Sequence, residues 1–375
     1  MREVFLYPEL QVDRTIETSG KEALAFLAWF KSQIDPFLNA YFEEKLREAS
    51  SIDPEVVVLV EEIRRFVSAG GKRIRPGFAY ASYIATNGRS LDAILYASAA
   101  LELLQAFALI HDDIMDDSSL RRGKPSVHVA FTQFHKNRKF TGSAKDFGKS
   151  AAILAGDMAI SFADELLNTA PFPAGRIRRA NFYFDAVKKQ VIFGQYLDIT
   201  ASSKRKVTEK DILKIIEYKT AKYTVEQPLH FGAALAGAEE EIFPVLSAYG
   251  TKLGQAFQLQ DDILGTFSTE EIIGKPVDSD IKEGKKTLLV VKTYEFCDKK
   301  DKKLLNSVLG NKHAQPGDIN RVRSIMRSCG ALQYTQELAD RLINKAKEGI
   351  YNVKLVEEGK NYLLQAADYL LTRKM

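Results

Sequence analysis

The chain has 375 residues, of which 45% are hydrophobic and 27% charged, the composition of an ordinary globular protein. Its 53 basic and 49 acidic side chains nearly balance, and a formal net charge of +4 gives no indication of nucleic-acid binding. The two cysteines, Cys297 and Cys329, stand in no metal-ligand spacing, which argues against a disulfide framework and a zinc site.

Membrane and export signals are weak. The N-terminus lacks the apolar segment of a signal peptide, and apolar runs such as 23–30 and 151–155 fall short of the roughly 20 residues that span a bilayer. We therefore expect a cytoplasmic protein without a transmembrane segment. Peripheral contact with a membrane stays open.

Helical periodicity dominates the chain, and no segment keeps the period-two alternation of a strand. Asp53-Pro54 predicts the start of a helix, which we expect to end near Gly70-Gly71. Ser90 predicts the N-cap of a second helix from Leu91 to about Asp116. Later helices are predicted over 144–168, 176–200, 208–236 with a kink or break at Pro228, 240–264, 287–297, 318–348 and 355–373. The pattern predicts an all-α domain over 51–375, with residues 1–50 as an N-terminal helical extension.

Two acidic clusters each end an apolar helix. In the first, Asp112 and Asp116 share one helix face, where like charges repel and the helix dipole is unfavourable to acids. The second cluster is Asp261-Asp262. Oxygen ligands of this kind favour a hard cation, Mg²⁺, with a phosphate supplying further oxygens. For either cluster alone, a solvated acidic helix end is the competing interpretation.

Basic residues gather in predicted loops. Gly70–Pro76 places three cations after two glycines, and Arg121-Arg122 follows the first acidic cluster directly. Arginine binds phosphate through two hydrogen bonds and lysine adds a point charge, so these segments suit a metal-bridged phosphate. Lys219, Lys275 and Lys285 supply further cations. Each basic group by itself is also what a solubilising surface loop contains.

Together these motifs resemble the trans-isoprenyl diphosphate synthase (polyprenyl synthetase) family over about residues 55–300. The matching segments are Gly70–Pro76, Leu109–Asp116 leading into Arg121–Gly123, Ala152–Asp157, Gly194–Asp198, Lys219–Ala221, and Phe257-Gln258 through Lys275 to Thr287. The resemblance implies an all-α bundle around a deep central cavity, usually a homodimer. It implies a Mg²⁺-dependent condensation of isopentenyl diphosphate with an allylic diphosphate.

The same resemblance implies roles for individual residues. Asp112 and Asp116 correspond to Mg²⁺ ligands supported by Asp113, and Asp261, helped by Asp262, to the ligand of a further Mg²⁺. The isopentenyl diphosphate site corresponds to Lys72, Arg75, Gln105 and Arg122, and the allylic diphosphate site to Arg121, Lys219, Thr220, Gln258, Lys275 and Lys285. The residues predicted to be catalytic are Asp112, Asp116, Arg121, Lys219, Asp261 and Lys275. Gly265 departs from the D-D-x-x-D pattern, and we interpret it as a variant that keeps Asp261.

The chemistry that the resemblance implies is ionisation of the allylic diphosphate, attack by the isopentenyl double bond, and loss of a proton to the departing diphosphate. Cations stabilise the charge on the leaving group. His111 is interpreted as structural. In this family bulk before the first aspartate motif limits product length, and Phe107, Ala108 and Leu104 lie there. An aromatic residue at this position, without an insertion in the motif, resembles archaeal-type geranylgeranyl diphosphate synthases. Farnesyl and geranylfarnesyl diphosphate are the alternative products, and core packing is the competing role for Phe107.

Other functions fit the motifs less well. A terpene cyclase would carry an Asn-Ser-Glu type of second metal motif and would not need the Gly70–Pro76 segment. A non-catalytic subunit of a heteromeric synthase would lose aspartates of the first motif, which are all present. A helical scaffold would show no Mg²⁺-dependent diphosphate binding. The C-terminal Arg373-Lys374 is expected to be a frayed end, with closure over the site as the alternative.

Overall fold

A computed structural model describes residues 16–268 and 278–372 of the chain. These residues are overwhelmingly helical. The only strands among them are β1 (Leu120–Arg121) and β2 (Lys124–Pro125), which form an antiparallel pair. The all-α class predicted from the sequence is therefore confirmed.

The helices of the described residues follow in chain order. They are α1 (Ile16–Ile52), α2 (Pro54–Ser68), α3 (Ile74–Ala85), α4 (Leu91–Met115), α5 (Val127–Asn137), α6 (Ala144–Thr169), α7 (Ala174–Ser203), α8 (Glu209–Ile216), a π-helix (Glu217–Glu226), α9 (Gln227–Ala236), α10 (Ile242–Phe267), α11 (Ser279–Glu283), α12 (Leu288–Phe296), α13 (Lys299–Val308), α14 (Pro316–Ser328), α15 (Ala331–Tyr351) and α16 (Glu357–Thr372).

The predicted N-caps of α2 and α4 are confirmed. Asp53 accepts a hydrogen bond from the Glu55 backbone N–H at 2.8 Å, and the Ser90 hydroxyl accepts one from the Ala93 N–H at 3.3 Å. Both bonds satisfy N–H groups that have no partner within the first helical turn.

Two predicted helices differ from the prediction in the structure. The helix predicted over 318–348 is two helices, α14 and α15, because Gly330 between them adopts a φ of +87°, which a continuing helix cannot contain. The helix predicted over 208–236 consists of α8, the π-helix and α9. Helical residues continue from Glu209 to Ala236, so the chain is not broken at Pro228, which has no N–H to donate and is the second residue after the π-helix.

The chain divides into two compact units. Unit 1 contains the described residues 25–182 and 231–238, and its central helix is α4, which packs mainly along α6. Leu101, Leu103 and Leu104 are almost completely buried on α4. A methyl group on Gly232 would lie 2.0 Å from the carbonyl oxygen of Ala79, so glycine is required for this approach of α9 to α3.

The apolar helix α4 is long enough and apolar enough to cross a membrane. Of the most apolar window of this helix, 72% is buried inside the protein, as in the core helix of a globular unit. It is the one such helix among the described residues. Its composition is therefore explained by packing.

Unit 2 contains the described residues 16–24, 183–230, 239–268 and 278–372. Its central helix, α10, packs against α15 and against the π-helix. The Tyr249 hydroxyl of α10 donates to the Leu363 carbonyl at 2.6 Å, and Ser19 donates to Asp368 at 2.7 Å, which fixes α16 on two sides. The boundary near residue 50 between an extension and a transferase domain stays a prediction, and Arg373-Lys374 lies outside the described residues.

Candidate active site

The first acidic cluster lies at the C-terminal end of α4, as predicted. Asp112 is mostly buried, with 19% of its side chain exposed, whereas Asp116 caps the helix and is exposed. Asp113 points into the protein and is fully buried. Burial raises the pKa of Asp113, and the hydrogen-bonded Arg121 opposes that rise. Asp112 and Asp116 are therefore the carboxylates of this cluster that a cation can reach.

Arg121 lies on the β1–β2 hairpin directly after this cluster. Its Nε donates to Asp113 Oδ1 at 3.0 Å, its Nη2 also contacts that carboxylate, and Nη2 lies 3.7 Å from Asp112 Oδ2. The two turn residues, Arg122 and Gly123, have φ of +53° and +73°, the pattern of a tight I′ hairpin. The hairpin thus holds one arginine against the acids and presents the next one from its tip.

The glycine-rich basic segment meets that hairpin tip. The Arg122 guanidinium donates to the Gly70 carbonyl, and a methyl group on Gly71 would lie 3.1 Å from Arg122 Nη2. Lys72 is exposed and Arg75 is half-buried. The structure therefore brings Arg122 together with the Gly70–Pro76 segment, in the same unit as Gln105, which is half-buried on α4.

Arg73 anchors the Gly70–Pro76 segment to the interior of unit 1. Only 3% of its side chain is exposed, its Nε donates to Asp35 at 2.8 Å, and its Nη1 contacts Glu102 of α4. A buried charge needs such partners because leaving it unpaired is costly. Gln105 is three residues after Glu102, so this ion pair ties the basic segment to the helix turn that carries Gln105.

Arg122 experiences an excess of positive charge. Burial lowers its pKa, and the nearby arginines 73, 121 and 75 lower it further, against an opposing contribution of Glu102. Arg73 and Arg121 already pair with carboxylates. The environment of Arg122 therefore favours an added anion.

His111 has a structural position, as interpreted from the sequence. Its Nε2 lies 3.1 Å from the Ile153 carbonyl of α6, and a methyl group on Gly156 would lie 2.3 Å from the same nitrogen. The Phe107 ring packs edge-on against the His111 ring at 4.9 Å. Leu104 is fully buried, and Ala108, like Phe107, is half-buried.

In unit 2 the π-helix carries Lys219 and Thr220. Lys219 Nζ donates to Asp198 of α7 at 2.6 Å, and both side chains are 26% exposed. A methyl group on Gly194 would lie 2.3 Å from the Lys219 backbone nitrogen. The absence of a side chain at Gly194 thus lets α7 approach the π-helix closely. Asp198, one helical turn further along α7, then forms the ion pair with Lys219. Single-turn and short π-helical segments occur frequently at functional sites.

Thr220 belongs to a hydrogen-bonded chain. Its hydroxyl donates to Gln258 Oε1 at 2.7 Å, and Gln258 Nε2 donates to Asp262 Oδ1 at 2.7 Å. Asp262 is buried, and burial raises its pKa to about 7 with smaller contributions from the neighbouring charges Lys285, Asp280 and Asp261. Asp262 therefore orients Gln258, while Asp261 is half-buried on the adjacent position of α10.

Lys275 lies outside the described residues. Lys285 is close enough to Asp262 to favour its ionised form. Lys286, by contrast, donates to the carbonyls of Ala201 and Lys204 at the end of α7, which is a helix-capping role.

The described residues contain no group of three or more His, Cys, Asp or Glu side chains that forms a complete metal cage. The donors present at Asp112, Asp116 and Asp261 are carboxylate oxygens, which suit a hard divalent cation. Such a cation keeps water and takes oxygens from substrate phosphates. The residues therefore fit a metal that is bound together with a diphosphate.

Two supporting contacts were missed from the sequence. Glu102 and Arg73 pair inside unit 1, and Asp198 holds Lys219 in unit 2. Glu102 offered a signal, because a charged residue among Leu101, Leu103 and Leu104 needs a buried partner. Asp198 belongs to the Gly194–Asp198 motif, but no spacing rule connects it with Lys219.

Comparison with known proteins agrees with these motifs. A family model described as polyprenyl synthetase matches residues 56–326. The chain is 34% identical over 316 residues to a geranylgeranyl diphosphate synthase of Methanosarcina mazei, covering 84% of this chain and 90% of the relative. It is 31% identical to a geranylfarnesyl diphosphate synthase of Aeropyrum pernix, covering 82% and 92%.

The fold is also that of a solved relative. The structure superposes on geranylgeranyl pyrophosphate synthase of Corynebacterium glutamicum, complexed with isoprenyl diphosphate and magnesium, with a TM-score of 0.85 at 32% identity. The match covers 96% of this chain and 100% of the other. The chain therefore belongs to the polyprenyl synthetase family.

Proposed function

We propose that this trans-prenyltransferase joins isopentenyl diphosphate to allylic diphosphates and that its main product is geranylgeranyl diphosphate. The observation that carries the proposal is the β1–β2 hairpin of unit 1, which follows Asp112 and Asp116 and presents the positively charged Arg122 at its tip. Adjacent cations and carboxylates are what a metal-bound diphosphate requires. The names of the Methanosarcina and Corynebacterium relatives support the twenty-carbon product.

We assign the metal to Mg²⁺, with one site at Asp112 and Asp116 and a further Mg²⁺ at Asp261. The Corynebacterium relative was solved with magnesium, and the oxygen donors of this chain are of the same chemical kind. When bound, Mg²⁺ supplies positive charge to the oxygens of the leaving diphosphate. Asp113 and Asp262 support these positions, since both are buried and hydrogen-bonded to other side chains.

Two groups of side chains would bind the two diphosphate substrates. Lys72, Arg75, Gln105 and Arg122 bind isopentenyl diphosphate. Arg121, Lys219, Thr220, Gln258, Lys275 and Lys285 bind the allylic diphosphate. Cations already in place when the carbon–oxygen bond breaks lower the barrier, because they need no rearrangement as charge develops. The proton lost after the new carbon–carbon bond forms passes to the departing diphosphate.

Product length is proposed to depend on the α4 residues that precede the first motif. Phe107 lies five residues before Asp112, about 7.5 Å along the helix axis. Its packing against His111 gives the ring a defined position from which to block further growth. The Aeropyrum relative named for a longer product makes geranylfarnesyl diphosphate the first alternative.

The proposal is tested with carboxylate-to-amide variants. Asp112→Asn and Asp116→Asn should each lower the rate of isopentenyl incorporation by about a hundredfold or more, since each removes a charge that acts on the transition state. Asp117→Asn is the matched control, because Asp117 is exposed and only 3.8 Å from Lys145 at the surface. Equal rates for all three variants would disprove the assigned metal site, and no incorporation by the wild type would disprove the function.

We also propose a homodimer in the cytoplasm. Four large apolar residues of α7 are 45–69% exposed in the single chain: Ile192, Phe193, Tyr196 and Ile199. Their spacing forms one helix stripe, and a second copy that covers it would remove this surface from water. Sedimentation should give a dimer that Ile192→Glu converts to a monomer. A wild-type monomer at micromolar concentration would contradict the proposal.

A further inference from the structure

The connection between α5 and α6 in unit 1 concentrates positive charge at the surface. Residues 136–149 contain five basic side chains and one acidic side chain, and their net charge of +4 equals that of the whole chain. Four of the basic side chains are exposed: Lys136, Arg138, Lys139 and Lys145. Arg138 has a loose contact with Glu55 at 3.9 Å, and Lys136 and Lys139 form no ion pair within the described part of the chain. These charges are therefore available to an anionic partner.

An aromatic side chain stands in the middle of these cations. Phe140 directly follows Lys139 and is 41% exposed. The rest of its ring packs against the rings of Phe134, His135 and Phe147, with centroid distances of 5.8, 5.7 and 5.9 Å. The cluster fixes the position of the ring and leaves part of it in water. Exposed lysines around an exposed aromatic ring are the combination that segments bound to a bilayer surface use.

Hydrogen bonds hold this connection in one conformation. Lys139 has a φ of +55°, and the next N–H, that of Phe140, donates to the His135 carbonyl at 3.2 Å, which closes the end of α5. His135 Nε2 lies 3.1 Å from the Thr141 carbonyl oxygen, and the Ser143 hydroxyl accepts from an N–H in the first turn of α6 at 3.3 Å. An ordered turn loses little conformational entropy when it binds a partner.

The turn lies at the same end of unit 1 as the first acidic cluster. Lys145 Nζ is 3.8 Å from Asp117 Oδ1, and Asp117 directly follows Asp116, a proposed metal ligand. A surface that contacts the turn would therefore lie near the end of α4 at which the diphosphates are proposed to bind.

The proposed substrates and product are themselves amphiphiles. Each has a charged diphosphate and an apolar chain, which reaches twenty carbons in the product. A fourteen-carbon acyl chain already gives reversible binding to a bilayer, with an association constant of about 10⁴ M⁻¹. The longer isoprenoid chains therefore partition into a bilayer and leave the diphosphate among the lipid headgroups.

We propose that the α5–α6 surface binds the anionic face of a lipid bilayer; this surface consists of Lys136, Arg138, Lys139, Phe140 and Lys145. The cations contact lipid phosphates, and the exposed part of the aromatic ring enters the boundary of the acyl chains. Docking brings the end of α4 close to the phase that holds long allylic substrates and receives the product. This benefit rests on the proposed function, whereas the docking itself does not depend on catalysis.

Sedimentation of the full chain with lipid vesicles measures docking without turnover. The wild type should bind vesicles of phosphatidylglycerol and phosphatidylcholine, with binding that falls as salt is added and is weak on phosphatidylcholine alone. Each lysine near an anionic surface contributes about a fivefold factor, so Lys136→Gln with Lys139→Gln should weaken binding by about 25-fold. The matched control, Lys299→Gln with Lys300→Gln, removes two exposed charges from α13 and should weaken binding by less than about twofold.

The aromatic contribution is tested at Phe140 itself. Phe140→Ala should weaken vesicle binding by about three- to eightfold, the part of a phenylalanine's burial free energy that its 41% exposure leaves to be gained. Phe140→Trp should keep the binding, and its added fluorescence should shift to the blue with anionic vesicles because the ring leaves water. Trp29, the only tryptophan of the wild type, gives the baseline spectrum.

Three results would each overturn the inference: a wild type that stays in solution with anionic vesicles, equal losses in the two lysine double variants, and an unshifted spectrum of Phe140→Trp. Binding to duplex DNA without binding to vesicles would overturn it in favour of a nucleic acid. A wild type that docks but does not elongate would overturn the proposed function alone.

Discussion

Replacing Glu102 by glutamine removes the buried charge that pairs with Arg73. Both side chains are only 3% exposed, and loss of one partner from a buried pair costs about 3–5 kcal/mol. Asp35 still accepts from Arg73 Nε at 2.8 Å, so we expect the lower end, about 3 kcal/mol. Because the pair anchors the segment that carries Lys72 and Arg75, the KM for isopentenyl diphosphate should rise as well.

Urea unfolding followed by tryptophan fluorescence measures this cost. Trp29 is the only tryptophan of the chain, and its ring lies 5.5 Å from Tyr80 within unit 1, the unit that contains Arg73. Glu61→Gln is the control: its partner Arg64 is 3.6 Å away at the surface, so its loss should cost less than about 1 kcal/mol. A Glu102→Gln variant no less stable than Glu61→Gln would refute the anchoring role.

Three further predictions concern the site. Gly156→Ala should lower the stability by about 1–3 kcal/mol and reduce turnover, because its methyl group would lie 2.3 Å from the His111 Nε2 atom. Gly175→Ala is the control: a methyl group there would have no atom within 4 Å, so thermal melting should be unchanged. Asp198→Asn should raise the KM for the allylic substrate about tenfold by releasing Lys219, with the KM for isopentenyl diphosphate unchanged in initial-rate assays; equal effects on both would contradict it. Phe107→Ala should lengthen the products read by mass spectrometry, and an unchanged length would remove this residue as the limit.

The sequence predicted what depends on local patterns. The caps at Asp53 and Ser90, the extent of α4 and the position of Asp112 at its end follow from residue spacing, and the structure agrees with them. The family resemblance then supplied roles for residues that spacing alone could not distinguish. Lys219 and Lys204 look alike in a sequence of many lysines.

What the sequence did not predict depends on contacts between distant segments. The π-helix has no local sequence signature. Its backbone packs closely against Gly194 of α7 and Gly254 of α10, which are distant from it in the sequence. The break at Gly330 was missed because a single glycine is tolerated in many helices. The contact of Asp280 with Gly265 joins residues fifteen positions apart across a change of element, which no periodicity reveals.

The proposed function requires that the chain itself elongate allylic diphosphates to twenty carbons. Purified protein would be incubated with isopentenyl diphosphate, Mg²⁺ and, in turn, the five-, ten- and fifteen-carbon allylic diphosphates, and the dephosphorylated products would be read by mass spectrometry. We expect a twenty-carbon product from each primer, and no product when Mg²⁺ is removed by a chelator. Absence of elongation from every primer by the folded protein would contradict the account and favour a non-catalytic subunit.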